Sequence, residues 1–442
     1  MSRPTRILIH LAAGTVVALT AILTDVVLGH ARVWGPLQVI VLAAALGMAA
    51  AGFSDPPFGR AALLSTKLSL SVMSGFLCVA FGEVGLRAVG FDFADEERAW
   101  KQIPPYYRQP IVPTGEAFFR RSGPEEWTGQ VLYTRMKQLG VDPEPYADEP
   151  TVTVTYNENG FRIPDALSDW TIAISGDSFT ELGYLADEQL FTSIVGRTLG
   201  LAVANLGTSY TGPLTQLSYL REYGVAPGTT DTVMVFFEGN DLENLDAEDE
   251  ALTRWKETGH REFREFTRQP SLVRALQQVF TRVFSISKSS EQSPVSAYFA
   301  SAQGDVPVTL DHTPPGRTGL PEPTRRRLDT VFGQYAELGR ARSLRVWMAY
   351  MPIKQRVHDG QLAFAAAATD GQRTWRPSDL PGVISELCER HGIRFIDLTP
   401  ALVADAHRNG RLLYNSLWDM HLNADGSRVV GEELARRLAG RD

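Results

Sequence analysis

The chain has 442 residues, long enough for one large domain or two ordinary ones. Its 51 acidic and 43 basic residues leave a net charge of -8, which excludes a phosphate-backbone partner because nucleic-acid binding leaves a basic footprint. Only Cys78 and Cys388 are present, and Cys78 lies in an apolar stretch, so a pair between them is disfavoured and each reads as a small hydrophobe.

Three apolar segments open the chain: Ile7 to Gly29, Val33 to Phe53, and about Leu68 to Val89. Each supplies the roughly 20 helical residues that a hydrocarbon core requires, with isolated exceptions such as Asp25 and Glu83. Glu83 and Arg87 are spaced to pair along one helix face. The first segment is too long for a signal peptide and two more follow, so residues 1–90 read as a retained anchor of three transmembrane helices. Arg3 and Arg6 precede the first span and Arg60 and Lys67 bracket the start of the third, which places the amino terminus in the cytoplasm. An odd number of spans then exports the remainder. The expected location is the bacterial inner (cytoplasmic) membrane, multi-pass, with the larger part on the periplasmic side.

From Phe91 to Pro150 the chain is rich in Pro, Tyr, Trp and charge without a sustained period. Together with Thr151 to Tyr156, a strand pattern that meets a turn at Asn159-Gly160, it makes residues 91–156 a linker that wraps the next domain. Short apolar runs then alternate with helical stretches. Trp170 to Ser175, Leu201 to Leu206, Thr232 to Phe237, Leu344 to Met351 and Ile393 to Leu398 read as buried strands, with helices such as Pro213 to Tyr223 and Leu380 to His391 between them. This alternation predicts an α/β domain over 157–442, a doubly wound parallel sheet with ligands outside the carboxyl ends of its strands. Residues 243–326 interrupt it with a charged helix, an amphipathic stretch (Leu272, Leu276, Val279, Phe280, Val283) and a Pro/Gly-rich tail, and read as an insertion.

The residues that follow the strands carry the chemistry. Gly176-Asp177-Ser178 presents a serine at the end of the first strand. A serine hydroxyl is a weak nucleophile that needs a base within reach and donors for the oxyanion it generates. The second strand ends in Asn205-Leu206-Gly207-Thr208-Ser209-Tyr210, and the third in Glu238-Gly239-Asn240-Asp241. A backbone N–H from the former and the Asn240 side-chain amide would make a donor pair. Near the carboxyl terminus, Asp419-Met420-His421 sets a carboxylate two residues before an imidazole, so that Asp419 fixes the tautomer and His421 takes the Ser178 proton. Taken singly, each of these is more often a turn or a cap; jointly they define a site. Lys354 and Arg356, after the fourth strand, would either meet an anionic substrate or lie on a solvated loop.

In this set the sequence resembles the SGNH (GDSL-type) hydrolases, with Gly176-Asp177-Ser178, Gly239-Asn240-Asp241 and Asp419-Met420-His421 in family order over about Asn157 to Leu438. The resemblance implies a flavodoxin-like α/β/α sandwich. It also implies Ser178, Asp419 and His421 as catalytic residues, an oxyanion hole from Asn240, Ser178 and either Tyr210 or Gly207, and supporting roles for Asp177 and Gly239. Two departures stand out: Tyr210 occupies the place where the family commonly has glycine, and the spacing is Asp-x-His in place of the commoner Asp-x-x-His. No serine lies in the Gly-x-Ser-x-Gly elbow of the α/β-hydrolases.

The expected activity is serine-dependent hydrolysis of acyl, above all acetyl, esters on an envelope glycan or lipid. O-acyl transfer to an exported polysaccharide is the alternative. A non-catalytic membrane-tethered scaffold, with Trp100, Tyr106, Tyr107 and Trp127 lining a sugar groove, is a third reading. No cofactor or metal is expected, since no His-Glu-x-x-His or comparable cluster occurs and His260, His312, His358, His391 and His407 are scattered. The expected partners are the acylated substrate and the bilayer; no partner membrane protein is specified by these residues.

Overall fold

The structure, a computed structural model, describes residues 2–28, 36–53, 59–88, 101, 103–116, 118–139, 142–164, 167–259, 295–301, 304–310, 320–417 and 419–440. They fall into two compact units, an amino-terminal one and a second that begins at Ile103.

The amino-terminal unit holds helices α1 (Arg3–Leu28), α2 (Pro36–Phe53) and α3 (Gly59–Ala88). α1 and α2 approach closely at Gly14, where a Cβ would stand 2.7 Å from the Ala45 carbonyl oxygen. His10 is buried where the three helices meet. Its Nδ1 lies 2.9 Å from Ser69 Oγ and 3.1 Å from the Met48 carbonyl, and its Nε2 lies 3.5 Å from Thr66 Oγ1. Leu64, Leu68, Phe81 and Val84 of α3 are exposed. Among the described residues one stretch, Leu64–Leu86 of α3, is long and apolar enough to cross a membrane, and Leu42–Ala51 of α2 is apolar over a shorter length. Where three spans are expected, one described helix is thus of sufficient apolar length. The first and second run through residues 20–41, whose side chains lie outside the described set, as does the side chain of Arg87 in the expected Glu83–Arg87 pair.

The strands of the second unit are β1 (Val112–Pro113), β2 (Phe119–Arg120), β3 (Glu125–Gly129), β4 (Val152–Tyr156), β5 (Ile172–Gly176), β6 (Val203–Gly207), β7 (Asp231–Phe237), β8 (Ala297–Ser301), β9 (Gly304–Val308), β10 (Arg345–Met351), β11 (Leu362–Phe364) and β12 (Arg394–Asp397). The five strands read from the sequence as buried form one parallel sheet in the order β12-β10-β7-β5-β6. Numbered within the sheet this is 2-1-3-4-5, the doubly wound order whose direction reverses between the first and third strands.

Alternation along each strand divides the core into two faces. Ile172, Ile174, Val233, Val235, Trp347 and Ala349 pack under helices Phe191–Leu199, Thr399–Asn409 and Ala424–Ala439. Ala173, Leu206, Met234, Phe236, Met348 and Tyr350 pack under Pro213–Tyr219, Glu322–Arg342 and Leu380–His391.

The wrapping segment belongs to this unit's core. Its Tyr106, Val131, Leu132, Met136 and Tyr146 join the first of the two faces, and β3 pairs antiparallel with β4. Within the expected insertion, Asp241–Thr258 is the charged helix, whereas the amphipathic stretch falls in residues 260–294, outside the described set. Of the stretch read as a Pro/Gly-rich tail, Gly304–Val308 forms β9, paired antiparallel with β8, which in turn pairs with β11, while residues 311–319 lie outside the described set. Phe299 and Val308 give that small sheet its own core, which outweighs the turn-forming tendency of the neighbouring glycine and proline.

Candidate active site

The chain leaves β5 through Gly176 and turns at Asp177, whose Oδ1 accepts a 2.8 Å hydrogen bond from the Phe179 N–H and so caps the short helix Ser178–Glu181. Ser178 begins that helix and is 8% exposed. Its Oγ lies 2.8 Å from His421 Nε2, across 243 residues of sequence. Burial pushes the Asp177 carboxyl up to about 6, against the lowering pull of the Phe179 N–H and of His421.

On its other side the imidazole faces Asp419, with Nδ1 at 3.1 Å from Oδ1 and 3.3 Å from Oδ2. Asp419 Oδ1 also accepts from the His421 N–H at 2.9 Å and from Asn415 Nδ2 at 2.8 Å, and the Tyr107 hydroxyl donates to Oδ2 at 3.3 Å. Burial alone would raise this carboxyl; the His421 charge and the hydrogen bonds overcome it and hold the group down at about 2. The ring plane is set by packing, with Phe179 at a centroid distance of 4.6 Å and the edge of Tyr106 at 5.4 Å.

The loop that carries Asp419 and His421 is held through its carbonyls. Lys354 Nζ donates to Thr309 O at 2.9 Å, Asp419 O at 3.0 Å and Ser416 O at 3.4 Å. Tyr146 donates to the Leu417 carbonyl and Tyr184 to that of Leu422. Lys354 is buried, so it neither meets an anionic substrate nor lies on a solvated loop; backbone carbonyls take its protons. Arg356 likewise turns inward, its Nε and Nη2 donating to Glu238 at 2.5–2.9 Å. Trp418, within this loop, lies outside the described residues.

Of the expected oxyanion donors, Gly207 is corrected: its N–H already donates to Asn205 Oδ1 at 2.9 Å and has no proton left to offer. The loop beyond β6 is fixed by Thr208 N–H to Gly176 O at 3.0 Å and by Ser209, whose N–H and hydroxyl donate to Glu181 Oε2 at 2.5 and 2.8 Å. Tyr210 then takes φ +67°, the left-handed region that glycine tolerates best. Among the described residues neither the Tyr210 N–H nor the Ser178 N–H has a hydrogen-bond partner.

Asn240 follows β7, the hydrogen-bonded neighbour of β5, so it leaves the sheet beside the strand that presents Ser178. Its Oδ1 is buried without a partner. Gly239 has room only for hydrogen, since a Cβ would run into the Phe237 ring, which stacks on Phe179 at 3.7 Å. Asp241 is buried, accepting from Phe237 N–H at 2.8 Å and Gln216 Nε2 at 3.2 Å; burial and the nearby Asp177 charge raise its carboxyl well above the usual range.

The structure thus brings together Ser178, His421 and Asp419, with Asp177 beneath them, Tyr210 on the adjoining loop and Asn240 and Gly239 at the next strand end. An alcohol bonded to an imidazole whose second nitrogen faces a carboxylate is an arrangement competent for proton abstraction and nucleophilic attack. Tyr107, Asn415 and Lys354 enter the site without a motif to announce them. Of the scattered histidines, His358 is buried and accepts the Leu413 N–H at 3.3 Å, and His391 bonds Asp329 at 3.0 Å. His260 and His312 lie outside the described residues.

No family model matches the chain, and no curated protein matches it. Solved structures do. The chain is similar to the lipase/acylhydrolase from Enterococcus faecalis at 15% identity, covering 61% of this chain and 96% of that one with a TM-score of 0.31. It is similar to the native M. smegmatis aryl esterase at 14% identity, 61% and 98% coverage and a TM-score of 0.30. An acetyl xylan esterase matches at 10% identity, 61% and 99% coverage and a TM-score of 0.33.

Two measurements probe the His421 loop. Because the folded value of Asp419 lies below its ordinary value of about 3.9, its charge stabilises the fold above about pH 4. That contribution is lost as pH falls through about 2. Denaturant melts of wild type and Asp419→Asn should therefore lie farther apart at about pH 5 than at about pH 2.5, the gap closing between about pH 4 and 2; an unchanged gap across that range would contradict the assignment. Lys354→Met keeps the volume but strips three carbonyls of a donor, and should lower the unfolding free energy of this unit by about 2–3 kcal/mol in urea.

Proposed function

We propose that the chain is a serine-dependent esterase of the SGNH type. The observation that carries this reading is the 2.8 Å contact between Ser178 Oγ and His421 Nε2, with Asp419 behind the ring. In this reading Ser178 Oγ attacks an acyl carbonyl as its proton passes to His421 Nε2, forming the carbon–oxygen bond of a tetrahedral intermediate. The negative oxygen is received by the Ser178 N–H, the Tyr210 N–H and the Asn240 side-chain amide. Collapse breaks the bond to the leaving alkoxide, which takes the proton from His421 and leaves an acyl-serine. Water, deprotonated by the same imidazole, then releases the acid and restores the serine.

The proposed substrate class is an acyl ester, above all an acetyl ester, of an envelope glycan or lipid. Transfer of the acyl group to a sugar hydroxyl is the second reading, favoured by the 8% exposure of Ser178, since a poorly hydrated acyl-enzyme gives an acceptor alcohol an advantage over water. A fluorophosphonate probe should label wild type and not Ser178→Ala. Asn240→Ala should lower kcat on p-nitrophenyl acetate by about 100- to 1,000-fold with a smaller change in KM. Acetate release from acetylated xylan without transfer marks a hydrolase, acetate moved to an added glycan marks a transferase, and absence of labelling refutes both.

We further propose that α1, α2 and α3 anchor the chain in the cytoplasmic membrane as three spans, with the second unit on the periplasmic side. The apolar length of Leu64–Leu86 and the exposed Leu64, Leu68, Phe81 and Val84 support a bilayer seat. The full chain should stay in the membrane pellet after carbonate washing, and its release by that wash would refute the anchor.

A further inference from the structure

We infer that Tyr107 is a positioning residue of the proposed reaction, its hydroxyl holding the outer oxygen of Asp419, so that the wrapping segment completes the active centre. The inference rests on the serine-esterase reading for its catalytic meaning, although the hydrogen bond itself does not.

The two oxygens of Asp419 are unequally served. Oδ1 has three donors: the His421 N–H at 2.9 Å, its ring Nδ1 at 3.1 Å and Asn415 Nδ2 at 2.8 Å. Oδ2 shares the same ring nitrogen at 3.3 Å, and the one further donor described there is the Tyr107 hydroxyl, also at 3.3 Å. A buried carboxylate has about four acceptor positions, and one left bare can be relieved by rotation of the group. Rotation about the Asp419 side chain would carry Oδ1 away from the imidazole, so the tyrosine holds the carboxylate plane and, through it, the direction of the His421 ring. Burial and the Asp419 charge together push the Tyr107 phenol well above its usual range, so it remains a donor throughout neutral pH.

The tyrosine is itself held in a rigid turn. Pro105–Tyr107 is a single 3-10 turn closed by the Arg108 N–H to Pro105 O at 3.0 Å. The Arg121 guanidinium spans the turn, donating to Pro105 O, to Arg108 O at 2.7 Å and to Tyr106 O at 3.0 Å while it pairs with Glu181. From the other side the Tyr210 hydroxyl donates to the Tyr107 carbonyl at 3.4 Å, and the Arg135 guanidinium lies 5.1 Å above the Tyr107 ring. A tyrosine present only as a hydrophobic plug would not require its hydroxyl to reach a carboxylate 312 residues away.

Tyr107→Phe removes one oxygen and keeps the ring. The test uses the full chain in detergent with 15N-labelled histidine, the His421 resonance being assigned by its loss in His421→Gln, and a thermal melt to check folding. Without the phenol, Asp419 Oδ2 loses its one further described donor and the carboxylate is free to turn away from the imidazole. The His421 ring-nitrogen resonances should shift from their wild-type positions, and kcat should fall about 5- to 20-fold with KM changed less than about twofold. A folded Tyr107→Phe whose His421 ring resonances and kcat both superimpose on wild type overturns the inference. If Tyr107→Phe fails to fold, Tyr107→His, which can restore a donor, should recover kcat above that of Tyr107→Leu; equal values for the two overturn it. Shifted ring resonances in a chain that no fluorophosphonate labels would uphold the hydrogen bond while refuting the esterase reading, so the two failures are distinct.

Discussion

The second unit is organised around a carboxylate that has no access to water. Glu181 closes the four-residue helix that begins with Ser178, and it is wholly buried. A charge in that position is tolerable only if ion pairing and hydrogen bonds replace its hydration. Arg121 supplies the ion pair at 2.7 Å, Tyr156 a hydroxyl at 2.5 Å, and Ser209 both its N–H and its hydroxyl. Those partners come from two places in the wrapping segment, Arg121 just beyond β2 and Tyr156 in β4, and from the loop beyond β6. Satisfying one charge therefore fixes four pieces of chain around the serine. The helix would otherwise end in exposed carbonyls; Arg162 takes those of Glu181 and Leu182 at 3.3 and 2.8 Å, so even this short element leaves little unpaired.

The sheet explains why the remaining groups converge. In the order β12-β10-β7-β5-β6 the first and third strands are neighbours, and the chain departs from them toward opposite faces. Ser178 leaves one and Asn240 the other, at adjoining carboxyl ends. His421 arrives from the last loop before helix Ala424–Ala439, which packs against helix Phe191–Leu199, and Asn423 caps it by accepting the Gly426 N–H at 3.0 Å. The imidazole is thus placed by a helix that also covers the core, and core packing and site geometry are coupled.

The five sheet strands were legible in the sequence because each is a local run of apolar residues with its turn attached. The serine and asparagine were legible because each follows a sheet strand, and the histidine because a carboxylate stands two residues before it. What escaped reading depends on side chains that reach far. Tyr107 meets Asp419, Lys354 meets the carbonyls of Thr309 and Asp419, and Arg356 meets Glu238, and in each case the partner is remote in sequence and leaves no spacing to detect. A charged residue after a strand looks solvated until the tertiary contacts are known, and that misled the reading of both Lys354 and Arg356. Gly207 misled in the opposite sense: as a glycine it offers an unobstructed N–H, but Asn205 had already taken it.

Tyr210 holds a left-handed backbone at φ +67° and leaves 54% of its surface open. A side chain costs about 1 kcal/mol in that conformation, so the loop keeps its torsion in spite of the residue that occupies it. Torsion leaves no letter behind. A backbone bent this way by an aromatic residue is invisible to any reading that looks for the smallest amino acid wherever the chain turns left-handed.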